Sequence, residues 1–174
     1  YAELTTDPII LNSQPWIIPQ GYSQRIVSDE SNLDIYAGSD WNDMNTVNET
    51  GKHAGRYMYR THEVRPSSSN PGAYTGGAVS VVDLKTGETK LVALRLDWEA
   101  LDGIVWTPWG TVLFAEETGS SVFTDPDHPA AIRGLVYEMK LDKKDPTKAE
   151  SIKVRPMLGS VSHEGIEFDS EGNV

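Results

Sequence analysis

The chain has 174 residues, 38% hydrophobic and 24% charged, with a formal net charge of −11 and no cysteine. That length suits one ordinary globular domain with its own core. The missing cysteine excludes disulfide scaffolds, thiolate metal sites and thiol nucleophiles, and the negative charge opposes nucleic-acid binding, which needs Lys and Arg to displace counterions. No apolar run is long enough to cross a bilayer, and no signal-peptide pattern is visible.

Residues 1–24 read as extended or loop-like. Pro8, Pro15, Pro19 and Gly21 break any helix, and residues 9–11 and 16–18 are short apolar runs. Residues 25–54 are polar. Asp40, Asn42, Asp43 and Asn45 alternate like the oxygens of a calcium loop, but the Gly and distal Glu of a helix-loop-helix site are not at the required spacing. The run is therefore expected to be a polar surface loop. Asn48-Glu49-Thr50 matches a glycosylation sequon by pattern.

From Arg56 the texture becomes that of short strands. Residues 56–63 read as a strand ending in His62 and Glu63, and residues 67–76 as a Ser/Pro/Gly loop. Residues 77–84 and 89–94 form a strand pair about a Lys85-Thr86-Gly87-Glu88 turn. Residues 101–117, LDGIVWTPWGTVLFAEE, read as two strands about a Pro-Trp-Gly turn. A long loop covers residues 118–133. Residues 134–141 and 152–156 are further strands, separated by a polar connection over residues 142–148.

The hairpin recurs. Glu164-Gly-Ile-Glu-Phe-Asp-Ser-Glu-Gly-Asn-Val174 aligns without a gap on the earlier Asp102-Gly-Ile-Val-Trp-Thr-Pro-Trp-Gly-Thr-Val112, and Gly77-Ala-Val resembles Gly134-Leu-Val at a similar interval. About four short strands in roughly 60 residues is the size of a propeller blade with one enlarged loop. The expectation is an all-β chain: residues 1–55 extended, residues 56–174 an incomplete β-propeller of two blades and a fraction. A ring needs at least about four blades. Further C-terminal blades or partner chains are therefore expected to close it.

In that architecture Asp102 and Glu164 begin inner strands, while Glu63, Glu116 and Glu117 end second strands. His62 and His163 accompany them. All seven are expected at one mouth of the channel. Clustered carboxylates raise one another's pKa, and a cation relieves this. Carboxylate oxygens suit a hard ion such as calcium, and carboxylates with imidazole also accept iron or manganese. Trp106 and Trp109 are expected to pack between blades. Ser162 beside His163 cannot form a dyad, because strand neighbours face opposite ways.

The runs TPWGTVLFAEE, GGAVSVVDLKTGET and SHEGIEFDSEGNV, with His62-Glu63 and the polar WNDMNTVNETG, together resemble the PhoX-type alkaline phosphatases, a bacterial family of secreted or periplasmic propellers. The resemblance covers about residues 40–174. It implies phosphomonoester hydrolysis at calcium and iron ions in the channel mouth, in a secreted or periplasmic protein. It further implies that Glu116 or Glu117, Glu164 and, less directly, Glu63 bind metal. The family's Cys, which helps hold iron, falls at Asp102 here. Asp is a harder ligand and favours calcium. In such an enzyme Arg60 or Arg65 would steady a phosphate oxygen. The two rival expectations are a calcium-stabilised propeller without activity and a lactonase-like calcium hydrolase.

Overall fold

The computed structural model describes residues 16, 18–28, 33, 41–66 and 76–174. The apolar run at 9–11, Asp40 and most of the loop at 67–76 lie outside the described residues. Eight strands are present: β1 (Trp41–Val47), β2 (Tyr57–Glu63), β3 (Gly77–Asp83), β4 (Thr89–Arg95), β5 (Leu101–Trp106), β6 (Val112–Glu116), β7 (Val136–Leu141) and β8 (Ala149–Val154). They form two four-stranded antiparallel sheets, β1-β2-β3-β4 and β5-β6-β7-β8, each in chain order. No α-helix occurs among the described residues.

Burial follows strand position. β3, with Val79, Val81 and Val82, is buried along its whole length. A strand covered on both faces reads as a continuous β-branched run. The fourth strands, β4 and β8, have no buried residue, mix half-buried with exposed positions, and carry charge. Lys90 and Lys153 on these outer strands discourage edge-to-edge pairing.

The two sheets meet face to face through aromatic side chains. Tyr59 of β2 stacks on Trp106 of β5, with ring centroids 6.0 Å apart, and Trp98 meets Phe114 edge-on at 5.0 Å. Thr61 Oγ1 donates to the Asp102 carbonyl at 2.6 Å, and the Trp106 amide donates to Thr46 Oγ1 at 2.8 Å. A second apolar cluster lies on the other face of the second sheet. There Leu113, Ala115 and Val136 receive Ile166, with Phe168 against them.

The gapless repeat appears as matching turns. Thr107 N donates to Thr111 O at 2.9 Å and Gly110 N to Thr107 O at 3.0 Å. Asp169 N donates to Asn173 O at 3.0 Å and Gly172 N to Asp169 O at 3.0 Å. Gly110 and Gly172 both have positive φ, 84° and 83°, a conformation that glycine adopts without steric cost. The same turn is thus built twice, at 107–111 and again at 169–173.

Two expectations change. The polar run expected as a surface loop contains β1, which pairs with β2 along its length, so the first sheet begins at Trp41 and not at Arg56. Within it Asn48 is buried. Its Nδ2 donates to His53 O at 2.7 Å, and its Oδ1 accepts the amides of Arg56 and Tyr57. This sequon asparagine is therefore committed to shaping the β1–β2 turn. The last strand also starts earlier than expected, at Ala149, and ends at Val154. Pro156 opens a short 3-10 turn, Pro156–Leu158.

Candidate metal centre

The acids are placed by two matching irregularities. In the first sheet Asn42 pairs with His62, and the register then slips before Asn45 pairs with Arg60. In the second, Leu101 pairs with Glu116, and the register slips before Ile104 pairs with Phe114. Overlaying the two breaks puts Asp43 where Asp102 stands, and Glu63 where Glu117 stands. A bulge releases its residues from strict alternation and re-aims their side chains. Glu164 aligns with Asp102 in the sequence repeat, but the inner strand expected to begin there is not formed: residues 164–168 follow β8 without strand structure. The Glu164 main-chain oxygen lies against Gly103 of β5, so closely that a Cβ there would overlap it. The chain crosses the end of β6 just before, where Glu117 bridges Ser162 and His163 N donates to Glu116 O at 3.1 Å.

Carboxylate oxygens of Asp102, Glu117 and Glu164 lie within 4.8 Å of one another. Asp102 is buried, Glu117 half-buried and Glu164 exposed. Asp43 and Glu63 adjoin them. Burial, and then the charge and hydrogen bond of Glu63, hold the Asp43 carboxyl above its ordinary range. Burial pushes Asp102 up to about 6, and Asp43, Glu164, Glu117 and Glu63 add to it in that order. Among the described residues one cation pairs with this group. Arg65 bridges Glu63 and Glu117. The arrangement concentrates oxygen donors and negative charge, which is what a hard divalent ion requires.

Of the seven residues expected at the rim, Glu63, Asp102, Glu117 and Glu164 come together. Glu116 does not join them. Successive strand residues face opposite ways, and its carboxylate turns inward to accept the amides of Glu99 at 2.8 Å and Leu135 at 3.0 Å. Burial pushes it up to about 7, against the pull of those two amides. His62 is buried with Nε2 2.7 Å from Ser80 Oγ, and Arg60 is buried with Ser80 and Ser28 hydroxyls at 3.4 Å. Both lie on the strand face opposite Tyr59 and Thr61. The His163 ring is partly buried, which lowers its pKa, and its Nε2 has no hydrogen-bond partner among the described residues.

Asp43, named in the calcium-loop-like run expected to be a polar surface loop, joins the cluster. A second signal for it is spacing: it precedes Asp102 by nearly the interval that separates Asp102 from Glu164.

No protein-family model matches the chain, and comparison with curated proteins and with solved structures finds no similar one. The resemblance to PhoX-type phosphatases rests on the motifs quoted above.

Proposed function

We propose that the two sheets and the segment after them are successive blades of a β-propeller, and that the acidic rim binds a hard divalent cation at which phosphomonoesters are hydrolysed. One observation carries the cation reading. Asp102, Glu117 and Glu164 converge from separate stretches of chain, where the sequence repeat aligns Asp102 with Glu164 and the two register breaks align Glu117 with Glu63. Like charges so placed are costly unless a cation offsets them. The phosphatase reading adds the motif resemblance.

In this reading Asp102, Glu117 and Glu164 hold the ion, and Asp43 and Glu63 deepen the negative field around it. An all-carboxylate donor set suits calcium, and Asp102 in place of a thiolate weakens the case for iron. The bound cation would supply charge neutralisation for a substrate phosphate and its transition state. Without it the five acids would repel a phosphate dianion, so the ion is a condition of binding as well as of chemistry. Such a calcium site fits the secreted or periplasmic setting that the resemblance implies.

The test is hydrolysis of 4-nitrophenyl phosphate before and after exhaustive chelation, with calcium and iron(III) restored separately. Loss on chelation and recovery with metal are expected. Turnover that survives chelation unchanged would overturn the reading. A second reading is favoured by the origin of the acids on β1, β2, β5 and the segments after β6 and β8: a cation there would clamp the sheets without catalysis. It predicts chelator-sensitive melting with no turnover. Lactone hydrolysis with no phosphatase activity would instead indicate a lactonase-like enzyme.

A further inference from the structure

We propose that Arg65 is the built-in counter-ion of this rim, holding Glu63 and Glu117 until a divalent ion displaces it. The inference deepens the cation-site reading above and rests on it. The Arg65 guanidinium donates through Nε to Glu63 Oε1 at 2.5 Å, through Nη1 to the Glu117 carbonyl at 3.2 Å, and through Nη2 to the Glu117 carboxylate. Glu63 ends β2 and Glu117 follows β6. One planar fork therefore ties the equivalent corners of both sheets, a geometry that guanidinium matches better than ammonium.

Glu117 is claimed twice. It belongs to the trio whose oxygens converge within 4.8 Å, and it is also the acceptor for Arg65. A divalent ion held by that trio would sit beside a guanidinium bound to the same carboxylate. At such short range two cations repel strongly, and partial burial weakens solvent screening. One of them must yield. The Arg65 side chain is 49% exposed, whereas Glu63 is only 9% exposed. The arginine can swing into water at little cost, and the acid cannot follow it. Five carboxylates against a single guanidinium also leave the cation-free rim strongly negative, so displacement leaves the incoming ion amply compensated.

Isothermal titration of the chelator-stripped chain with calcium chloride at pH 8 tests this. Arg65→Met is expected to bind calcium about tenfold more tightly than the parent, because a competing charge is gone. Arg65→Lys, which keeps the charge and loses the fork, is expected to fall between them. If Arg65→Met does not fold, nitrogen-15 spectra of the parent carry the test. The Arg65 Nε–H resonance, identified by its loss in Arg65→Lys, is expected to be protected from exchange in chelator and to lose protection with calcium. Calcium binding by the parent with equal or weaker binding by Arg65→Met, or protection that persists with calcium bound, would overturn the inference and leave the cation site standing. No calcium binding by either protein would remove the site and the inference together.

Discussion

Asp43 and Asp102 occupy one station in two successive sheets, each inside the register break of a first strand and beside the end of a second. Their charges act on each other across the join between the sheets. The repeat thus does more than duplicate a hairpin. It brings acids from distant places in the sequence to a common edge, where the charge of each is a cost to the other unless something compensates both.

Burial of Asp102, and after it that repulsion, should be readable as pH dependence. Asp102 ionises near 3.8 in an unfolded chain and near 6 in the fold. The fold retains the proton longer, so stability falls as pH rises from about 4 to about 6, and the penalty is complete above that. Asp102→Asn escapes it. In chelator, with solvent screening allowed for, the variant should be more stable than the parent by about 1–2 kcal/mol at pH 8 and by little below pH 4. Calcium should reverse the order at pH 8 by stabilising the parent alone. Urea melts at several pH values, with and without calcium, measure this. A constant difference across pH would exclude ionisation of Asp102 as its cause.

Glu116 and Glu117 are neighbours with opposite assignments. Glu116→Ala strips the partners from two buried amides, those of Glu99 and Leu135, and should cost about 2–4 kcal/mol. A Glu116→Ala protein that remains folded should still bind calcium. Glu117→Gln should change stability by less than about 1 kcal/mol and weaken calcium binding at least about tenfold. Melting and calorimetry on both variants separate the roles. Equal loss of calcium affinity in the two would mean that Glu116 also faces the ion.

The sequence made some of this legible and hid the rest for physical reasons. β3 was readable because burial on both faces demands Val79, Val81 and Val82 in close succession. The Thr107–Gly110 turn was readable because its glycine recurs at Gly172. β1 was hidden because Asn42, Asp43 and Asn45 look like loop residues. The polarity of Asp43 belongs to the rim it adjoins, and pairing with β2 makes the run a strand. The start of β8 was obscured by Ala149, Glu150 and Ser151, which have weak strand preference and are held by the ladder to β7. Alternation on a strand could separate Glu116 from Glu117, but only the register of β5 against β6 decides which of them reaches the rim.

Arg95 anchors the long loop between β6 and β7. Its guanidinium lies over Trp98 at 5.1 Å and Tyr137 at 5.4 Å, and it pairs with Asp97 and with Asp125 at 3.0 Å. Asp125 is buried, and it also accepts the amides of Asp127 and His128 and the Tyr137 hydroxyl. Burial alone would raise its carboxyl, but these bonds and the Arg95 charge hold it below the ordinary range. Arg95→Met would leave that charge without its cation and should cost about 3 kcal/mol at pH 7. A lowered carboxyl contributes stability above its unfolded value and loses it as pH falls through the folded one. The cost should therefore shrink below the ordinary value of 3.8. Thermal melts of parent and variant at pH 3 and pH 7 show whether it does.

Gly103 couples the packing to the rim most directly. It lies between Asp102 and Ile104 of β5, and a Cβ on it would overlap the Glu164 carbonyl oxygen and come within 3.3 Å of Ile166 Cγ1. The obstacle is backbone, which cannot rotate aside as a side chain can. Gly103→Ala must therefore push the crossing segment off β5, and overpacking of this kind costs about 1–3 kcal/mol. Ile166 would lose part of its contact with Leu113, Ala115 and Val136. Glu164 would move away from Asp102 and Glu117, so calcium affinity should fall by at least about tenfold, a coupling of the size that displaced ligands produce, although no carboxylate has been altered. Calorimetry on Gly103→Ala, with Asp102→Asn as the reference for a lost ligand, measures both effects. Full calcium affinity in a destabilised Gly103→Ala would show that Glu164 is not needed to hold the ion.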